Sequence, residues 1–403
     1  MKKTTRIHQQ SNSNHIKLYA YNFVLSLHLF SAVLIPFYLE WAGISLQEML
    51  LLQSLFTFFT FLLEIPTGVV ADLYGEKKSL VLGGIIGAVG FFVYPLKASF
   101  LWFSLGEFLI ALSLALRSGA NESLLYNSSG SNSKFSEQIS RLNSLMMLAM
   151  LFGPLIGALL VHWFKPQQIM FLQGITGVLA AIMALLISEP IKENKDQSKV
   201  SETIRIWDTL LVGWQFLANQ RGMWILALDM AVVAGVAKMM IWLYQARLTD
   251  LVAIDWFGYI ISVAMLLEIV AMNIYGRVAK IKKWRHELIF WSTVLPAIGF
   301  IVTGVSANIW LILLGIWLSI GLGMSRKPFF SVLFNEQISA SQRATILSTI
   351  AMTSQLVLTL LNPVVGWAAD RSVSLTLMWL GALLIVFSLF SRVQIKHQLK
   401  IEN

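Results

Sequence analysis

Apolar residues fill this chain in stretches of about twenty, the length an α-helix needs to cross the hydrocarbon core of a bilayer. Twelve such spans are predicted, near 19–39, 46–70, 79–96, 99–125, 137–162, 168–188, 222–247, 255–278, 286–305, 307–333, 343–368 and 373–392. One long polar stretch, with Lys192, Glu193, Lys195, Asp196, Lys199, Glu202 and Arg205, separates the first six spans from the last six. Within it Ile204, Trp207, Leu210, Leu211, Trp214 and Leu217 recur at helical spacing, which fits an amphipathic helix on the membrane surface or an ordinary linker helix. The expected organisation is a six-helix bundle over 1–188, a cytoplasmic linker over 189–221 and a second six-helix bundle over 222–403. The first span comes after Lys2, Lys3, Arg6 and Lys17 but lacks a small-residue cleavage site, so it reads as a retained helix and not a leader.

Composition agrees. Of 403 residues 57% are hydrophobic and 13% charged, against about 45–50% and roughly 25% in soluble domains; the excess needs lipid as solvent. The formal charge of +9 is explained by where the charges fall. Threaded from an inside N-terminus, only Lys97, Lys165, Arg247 and Arg371 lie outside and Lys238 lies within a span, while the other 25 of the 30 Lys and Arg fall inside. That asymmetry predicts a multi-pass protein of the cell membrane with both termini and the linker cytoplasmic. It also removes the need for a nucleic-acid partner. With no Cys there are no disulfides or thiolate metal sites. No phosphate loop, zinc-helix motif, nucleophile elbow or K⁺-type filter occurs, so neither enzyme chemistry, a cofactor, a metal nor a channel is expected.

The two halves repeat. Gly68-Val-Val-Ala-Asp72-Leu-Tyr-Gly75-Glu-Lys77-Lys78 after the second span matches Gly276-Arg-Val-Ala-Lys280 after the eighth; Arg117 matches Arg326, and Gly153-Pro154-Leu-Ile-Gly157 matches Asn362-Pro363-Val-Val-Gly366. The offset is 208 or 209 residues each time. Duplicated units of this kind place a substrate site between them near the bilayer midplane.

On the Gly68–Lys78 loop, the span count, the central linker and the repeat, the chain resembles the major facilitator superfamily of secondary transporters. The resemblance implies an all-α membrane fold of twelve helices in two six-helix pseudo-repeats. It also implies a cytoplasmic gate in which Asp72 faces Ser341 to Arg343 at the start of the eleventh span; a solvated loop carboxylate is the alternative. Leu73 and Glu76 depart from the family pattern, which has Arg after the Asp and favours a basic residue at the second place. Gly75 suits a turn at positive φ, and Lys77 and Lys78 suit the inner leaflet. Gly153-Pro154-Leu-Ile-Gly157 resembles part of the fifth-helix motif of the proton antiporters, although Ala149 and Ala158 stand where that motif favours Gly.

Charges within the spans need a partner, water or a function. They fall on spans one, two, four, seven, eight and ten, while spans three, six, nine and twelve have no Asp, Glu, Lys or Arg inside and suit a lipid-facing place. Glu107 and Glu268 lie deepest and are the expected proton carriers, or else partners in structural bridges. His28 can shuttle protons or simply bond between helices. Gln53, Glu64, Lys238, Arg326 and Gln355 are expected at the substrate cavity. Span two carries a stripe of Gln53, Thr57, Thr60, Glu64 and Thr67, and span eleven one of Thr345, Ser348, Gln355, Thr359 and Asn362; each faces the pathway or glues helices together. Met146, Met147, Met150, Met265, Met272 and Trp317 can line an adaptable apolar pocket or pack ordinarily. The expected function is export of a hydrophobic small molecule by proton antiport, from a monomer whose partners are substrate, protons and lipid. Proton-coupled uptake of a polar metabolite is the alternative, and a non-transporting membrane sensor a further one.

Overall fold

In the computed structural model, residues 2–129, 131–188, 215, 220–338 and 343–398 are described, and for 2–13, 64–66, 68–74, 132, 221, 343–345 and 392–398 only the backbone is. The expected linker and its amphipathic helix lie outside the described residues apart from Gln215, Gln220 and Arg221. The helices are α1 (Lys2–Leu25), α2 (Leu46–Tyr74), α3 (Glu76–Val93), α4 (Phe100–Ser129), α5 (Asn132–Leu160), α6 (Pro166–Leu185), α7 (Arg221–Leu248), α8 (Asp255–Val278), α9 (Arg285–Val305), α10 (Ile309–Met324), α11 (Lys327–Gln337), α12 (Arg343–Ala369) and α13 (Val373–Gln398). Eleven segments among the described residues are long and apolar enough to cross a membrane, matching the second to twelfth predicted spans. The tenth is α10 and α11 together, interrupted at Ser325 and Arg326, where Pro328 has no N–H to continue the ladder.

The first span departs from expectation. Instead of one helix over 19–39, α1 stops at Leu25, and a 3-10 turn at Leu29–Ala32 and a π-wound stretch at Pro36–Trp41 come after it. Pro36 has no N–H to continue a helical ladder, and the backbone has already left the helical path at His28, φ −85° and ψ 70°. The frayed backbone is met from outside the segment. The Leu29 N–H donates to Gln173 Oε1 of α6 at 2.9 Å, and the Gln173 amide is itself held by Thr176 Oγ1 at 3.1 Å. The Gly153-Pro154-Leu-Ile-Gly157 run of α5 is the seat. A methyl on Gly153 would collide with the His28 backbone nitrogen, and one on Gly157 with the Leu29 carbonyl oxygen.

The chain divides into two compact units, Met1–Ile44 with Leu55–Thr203, and Ser45–Ser54 with Ile204–Asn403. The division in the chain's middle falls inside the polar stretch, and the first turns of α2 belong to the second unit. There Ser54 Oγ donates to the Thr359 carbonyl at 2.7 Å, and a methyl on Gly366 of α12 would lie 2.8 Å from Gln47 Cα.

Each unit repeats one packing scheme. In the first, α3 packs against α4 and α6, and α1 against α5 and α6; in the second, α9 packs against α10 and α13, and α7 against α12 and α13. Small residues set the crossings, as expected where lipid tails leave van der Waals packing to drive association. Gly90 and Gly106 face one another across α3 and α4, and Gly299 and Gly315, each 209 residues on, do the same across α9 and α10, where added methyls would meet the opposite carbonyl at 2.6 Å. The outer flanks of α6 and α13 expose Phe171, Leu179, Ile182, Trp379, Val386 and Phe390 to the surroundings. This fits the expected lipid-facing role of spans six and twelve. Asn14 exchanges two hydrogen bonds with the Ser188 backbone, at 2.8 and 3.0 Å, and Lys17 Nζ donates to the Leu186 carbonyl at 2.7 Å, so α1 caps the end of α6.

Gly157→Ala is therefore expected to lower stability by about 1–3 kcal/mol through backbone collision. Gly119→Ala, where nothing lies within 4 Å of the added methyl, should be neutral or stabilising by at most ~1 kcal/mol. Melting temperatures of the two purified variants in detergent check this; equal values would overturn the seat.

Candidate functional site

Glu107 sits about two turns inside α4 and is 4% exposed. Tyr94 and Tyr38 lie close enough to feel its charge, their ring centroids 6.2 Å apart. Tyr94 is brought there because Pro95 ends α3 in a tight 3-10 turn, Tyr94–Leu96, and Tyr38 because it rides on the π-wound stretch of the interrupted span. Aromatic rings close around the trio: Phe103 stacks on Tyr94 at 5.5 Å and meets Tyr38 edge-on at 5.7 Å, while Phe37 packs against Phe103 at 5.7 Å. Glu107, the expected proton carrier, is a buried carboxyl. Its surroundings are the first unit's own interior, with neutral hydroxyls beside it.

In the second unit the buried charge is paired. Arg326, 1% exposed, directs Nη2 to Asp229 Oδ1, Nη1 to the Asp229 carbonyl at 3.1 Å and Nε to Ser292 Oγ at 3.0 Å, with its guanidinium 4.8 Å from the Phe330 ring centroid. Expected at a cavity, Arg326 is instead inside the helical packing, since a guanidinium this deep is tolerable only when every N–H finds an acceptor. Asp229 is fully buried, and among the described residues its Oδ2 has no hydrogen-bond partner. Among the described residues the first unit's counterparts form no ion pair: Arg117 Nε donates to the Ser113 carbonyl at 3.2 Å, and Tyr21, 208 residues before Asp229, gives its hydroxyl to the Leu80 carbonyl at 2.9 Å. Since α7 runs unbroken past Gly235, Asp229 and Lys238 stay on different faces, and Lys238 is the less buried.

The family model of the Major Facilitator Superfamily matches residues 20–361. The chain belongs to the major facilitator superfamily. It is a multi-pass membrane protein of a secondary-transporter family. An uncharacterised MFS-type transporter of Methanocaldococcus jannaschii is 23% identical over 248 residues, 62% of this chain and 63% of that protein, so the match spans less than two thirds of the relative. Among solved structures, a nucleoside transporter, NupG, aligns with a TM-score of 0.77 at 12% identity over 96% of this chain and 100% of its own. A POT family transporter in complex with a thioalcohol-conjugated peptide aligns at 0.75 and 12%, covering 96% of each chain. At that identity the likeness is one of fold.

Of the superfamily's loop motif, Gly75 adopts φ of 97° as the residue before α3, the left-handed region that favours glycine. Lys77 is partly buried and Lys78 exposed. Glu76, standing where the family favours a basic residue, is buried and accepts from Ser123 Oγ at 3.0 Å. Gly68 lies within α2, while the side chains of Glu64, Asp72 and Arg343 lie outside the described residues, and with them the expected gate contact. After the repeated loop, Arg285 grips Glu336 through two bonds of 2.6 and 2.7 Å and donates Nε to the Ala279 carbonyl at 2.7 Å. The sequence reading missed this clasp, although the run of basic residues there was its signal.

The other expected residues are scattered. Glu268 lies on α8, partly buried, where Gly321 of α10 comes close to its backbone nitrogen; among the described residues it has no ion-pair partner. Gln53 and Gln355 are partly buried. Thr60, Thr67 and Thr359 spend their hydroxyls on carbonyls four residues back, at 2.8, 2.7 and 2.9 Å, which favours the packing reading for these members of the two stripes. Trp317 is fastened to the Ile260 carbonyl at 3.1 Å and Met265 is buried, so both are packing residues. The structure brings together His28, Gly153 and Gly157, at the break in the first span.

Removing the negative partner of Arg326 strands its charge. Asp229→Asn should cost about 3–5 kcal/mol, whereas an Asp229→Leu, Arg326→Met double variant should recover most of that. Thermal unfolding of the three proteins checks this; a single variant as stable as the parent would overturn the reading.

Proposed function

We propose that this transporter is a proton-coupled, alternating-access carrier of the cell membrane that exports a hydrophobic small molecule by antiport, working as a monomer with both termini in the cytoplasm. The observation that supports coupling is the burial of Glu107 within α4, near the hydroxyls of Tyr94 and Tyr38. A carboxyl whose neighbours are hydroxyls can be held both ionised and protonated, because a hydroxyl can donate or accept. Asp229 lacks that freedom, since its charge is committed to the Arg326 guanidinium beside it. Glu268 is the second candidate carrier. Moving one charge through the membrane potential is worth ~2.3 kcal/mol per 100 mV, enough to bias a cycle.

Export rests on the likeness of Gly153-Pro154-Leu-Ile-Gly157 to the antiporter motif. Uptake of a polar metabolite is the second reading, favoured by the nucleoside and peptide transporters that share the fold. A thermal-shift screen of the purified protein against lipophilic cations, nucleosides and short peptides selects the substrate class. Accumulation of the hit in everted against right-side-out vesicles under an imposed pH gradient then gives direction. Entry into right-side-out vesicles together with protons would rule out antiport.

Glu107→Gln is expected to abolish gradient-driven accumulation while leaving substrate exchange at equal pH, and Glu268→Gln tests the second carboxyl in the same assay. Full gradient-driven activity in both variants would remove the coupling role. Activity that never depends on pH in the parent would favour another ion.

A further inference from the structure

We infer that the loop joining α8 to α9, residues 279–284, is a binding site for the headgroup of an anionic phospholipid, with Lys280, Lys282 and Lys283 as the phosphate-binding residues and Trp284 at the level where headgroup meets acyl chain. The orientation proposed above makes the leaflet the cytoplasmic one; the site itself rests on the loop and on α9.

The loop is shaped from within. Arg285, 7% exposed, gives Nε to the Ala279 carbonyl at 2.7 Å and closes on Glu336 through bonds of 2.6 and 2.7 Å. The Lys280 and Ile281 amides reach back to the Arg277 and Val278 carbonyls at 3.2 and 2.9 Å, and the Trp284 amide to the Ile281 carbonyl at 3.0 Å. With Arg285 filling the inside, the intervening side chains are left on the outside. Lys280, Ile281, Lys282, Lys283 and Trp284 are all exposed, Trp284 by 54%. A bare indole among three lysines suits the membrane interface, where the ring sits at headgroup level and ammonium groups meet phosphate.

The helix that comes next sets the depth. The exposed residues of α9 are Trp291, Ile298 and Val305, and with Trp284 they come at every seventh position, two turns apart and so nearly in line along the helix. The 21 residues of α9 rise roughly 32 Å, about the thickness of a hydrocarbon core. Trp284 caps this apolar stripe at one end, and Trp310, 73% exposed, stands just past the other. A lipid whose chains lie along Trp291 and Ile298 therefore has its phosphate level with the lysines.

The lysine charge is unspent. Nearby carboxylates are engaged, Glu336 by Arg285 and Glu287 facing His286 at 3.8 Å. Among the described residues Lys280 and Lys283 make no hydrogen bond or ion pair, and Lys282 acts on Glu336 only through its charge. The repeat sets this loop apart from its counterpart. At the offset of 208 residues Lys280 stands at the place of Asp72, Lys283 at that of Gly75 and Trp284 at that of Glu76, which is buried. The first loop mixes acids with bases, whereas residues 276–286 contain no acid.

The full-length chain has no Cys, so Ile281→Cys carries a single fluorophore beside the lysines in nanodiscs of phosphatidylcholine. Quenching by spin-labelled phosphatidylglycerol, set against spin-labelled phosphatidylcholine at the same mole fraction, gives the loop's relative affinity for the anionic lipid. A preference of at least about five-fold is expected, the size one lysine confers at an anionic surface. Lys282→Gln with Lys283→Gln should bring it close to unity. Lys78→Gln with Lys134→Gln, an equal loss of charge at exposed positions elsewhere, should leave it unchanged. No preference in the parent overturns the site, and so does an equal loss in both double variants, which would mean diffuse attraction alone. Relief of quenching by inorganic phosphate or glycerol phosphate would mark a site for free phosphate and overturn the lipid. Nanodiscs offer the same lipids on both faces, so a failure here leaves the proposed orientation and transport standing, and their failure leaves this site standing.

Discussion

In hydrocarbon, a peptide group that leaves its helix has no water to turn to, and stranding it costs several kcal/mol. The first unit is arranged around meeting that condition at one place. Once the first span breaks at His28, donors and acceptors near residues 26–33 need partners from neighbouring helices. Gln173 supplies one, and the glycines of α5 let the irregular backbone lie close enough to be shielded from lipid. The Gly153-Pro154-Leu-Ile-Gly157 segment thus has a structural task inside its own unit. Its glycines are needed because another backbone lies where a methyl would be.

The same constraint accounts for the way the duplicated halves diverged. Each unit keeps the small-residue crossings, Gly90 on Gly106 and Gly299 on Gly315, and each keeps an arginine on its fourth span. A buried arginine must be satisfied locally. In the second unit Asp229 and Ser292 do this, and the charge is locked. In the first, Tyr21 occupies the place of Asp229 and Gly83 that of Ser292, so Arg117 lies over a glycine and bonds its own helix. Among the described residues, one half therefore carries a fixed ion pair, and the other keeps a buried carboxyl, Glu107, in a different layer.

Most of the fold was legible in the sequence, because each of the later spans carries its own hydropathy signal and needs nothing from its neighbours to be recognised. The break in the first span was not. Pro36 marks that something must end, but where it ends depends on glycines more than a hundred residues away and on Gln173, a neutral amide that a search for charged residues passes over. For the site, Glu107 was visible as a carboxylate within an apolar run. Its partners were not, since tyrosines near span ends read equally well as membrane-interface anchors. Arg326 was misplaced because it was weighed alone; setting Asp229 beside Tyr21 through the repeat would have suggested the pair. The gate residues Asp72 and Arg343 stay where the family resemblance left them, as their side chains lie outside the described residues.

A carrier that couples a proton to movement needs a group that changes charge and a piece of backbone soft enough to respond. Two of the buried carboxylates, Asp229 and Glu107, divide along this line. Asp229 is anchored by a guanidinium on the same rigid packing that holds α7 to α10, so protonating it would strand Arg326 at a cost comparable to the unit's own stability. Glu107 lies near Tyr38 of the interrupted first span, which is wound in part as 3-10 and π turns. A change of charge there acts beside a segment that is seated on the backbone of α5 and is not part of a continuous helix. A rigid first helix would absorb such a change as strain. An interrupted one has room to yield, and here the break and the buried carboxyl occur in the same unit.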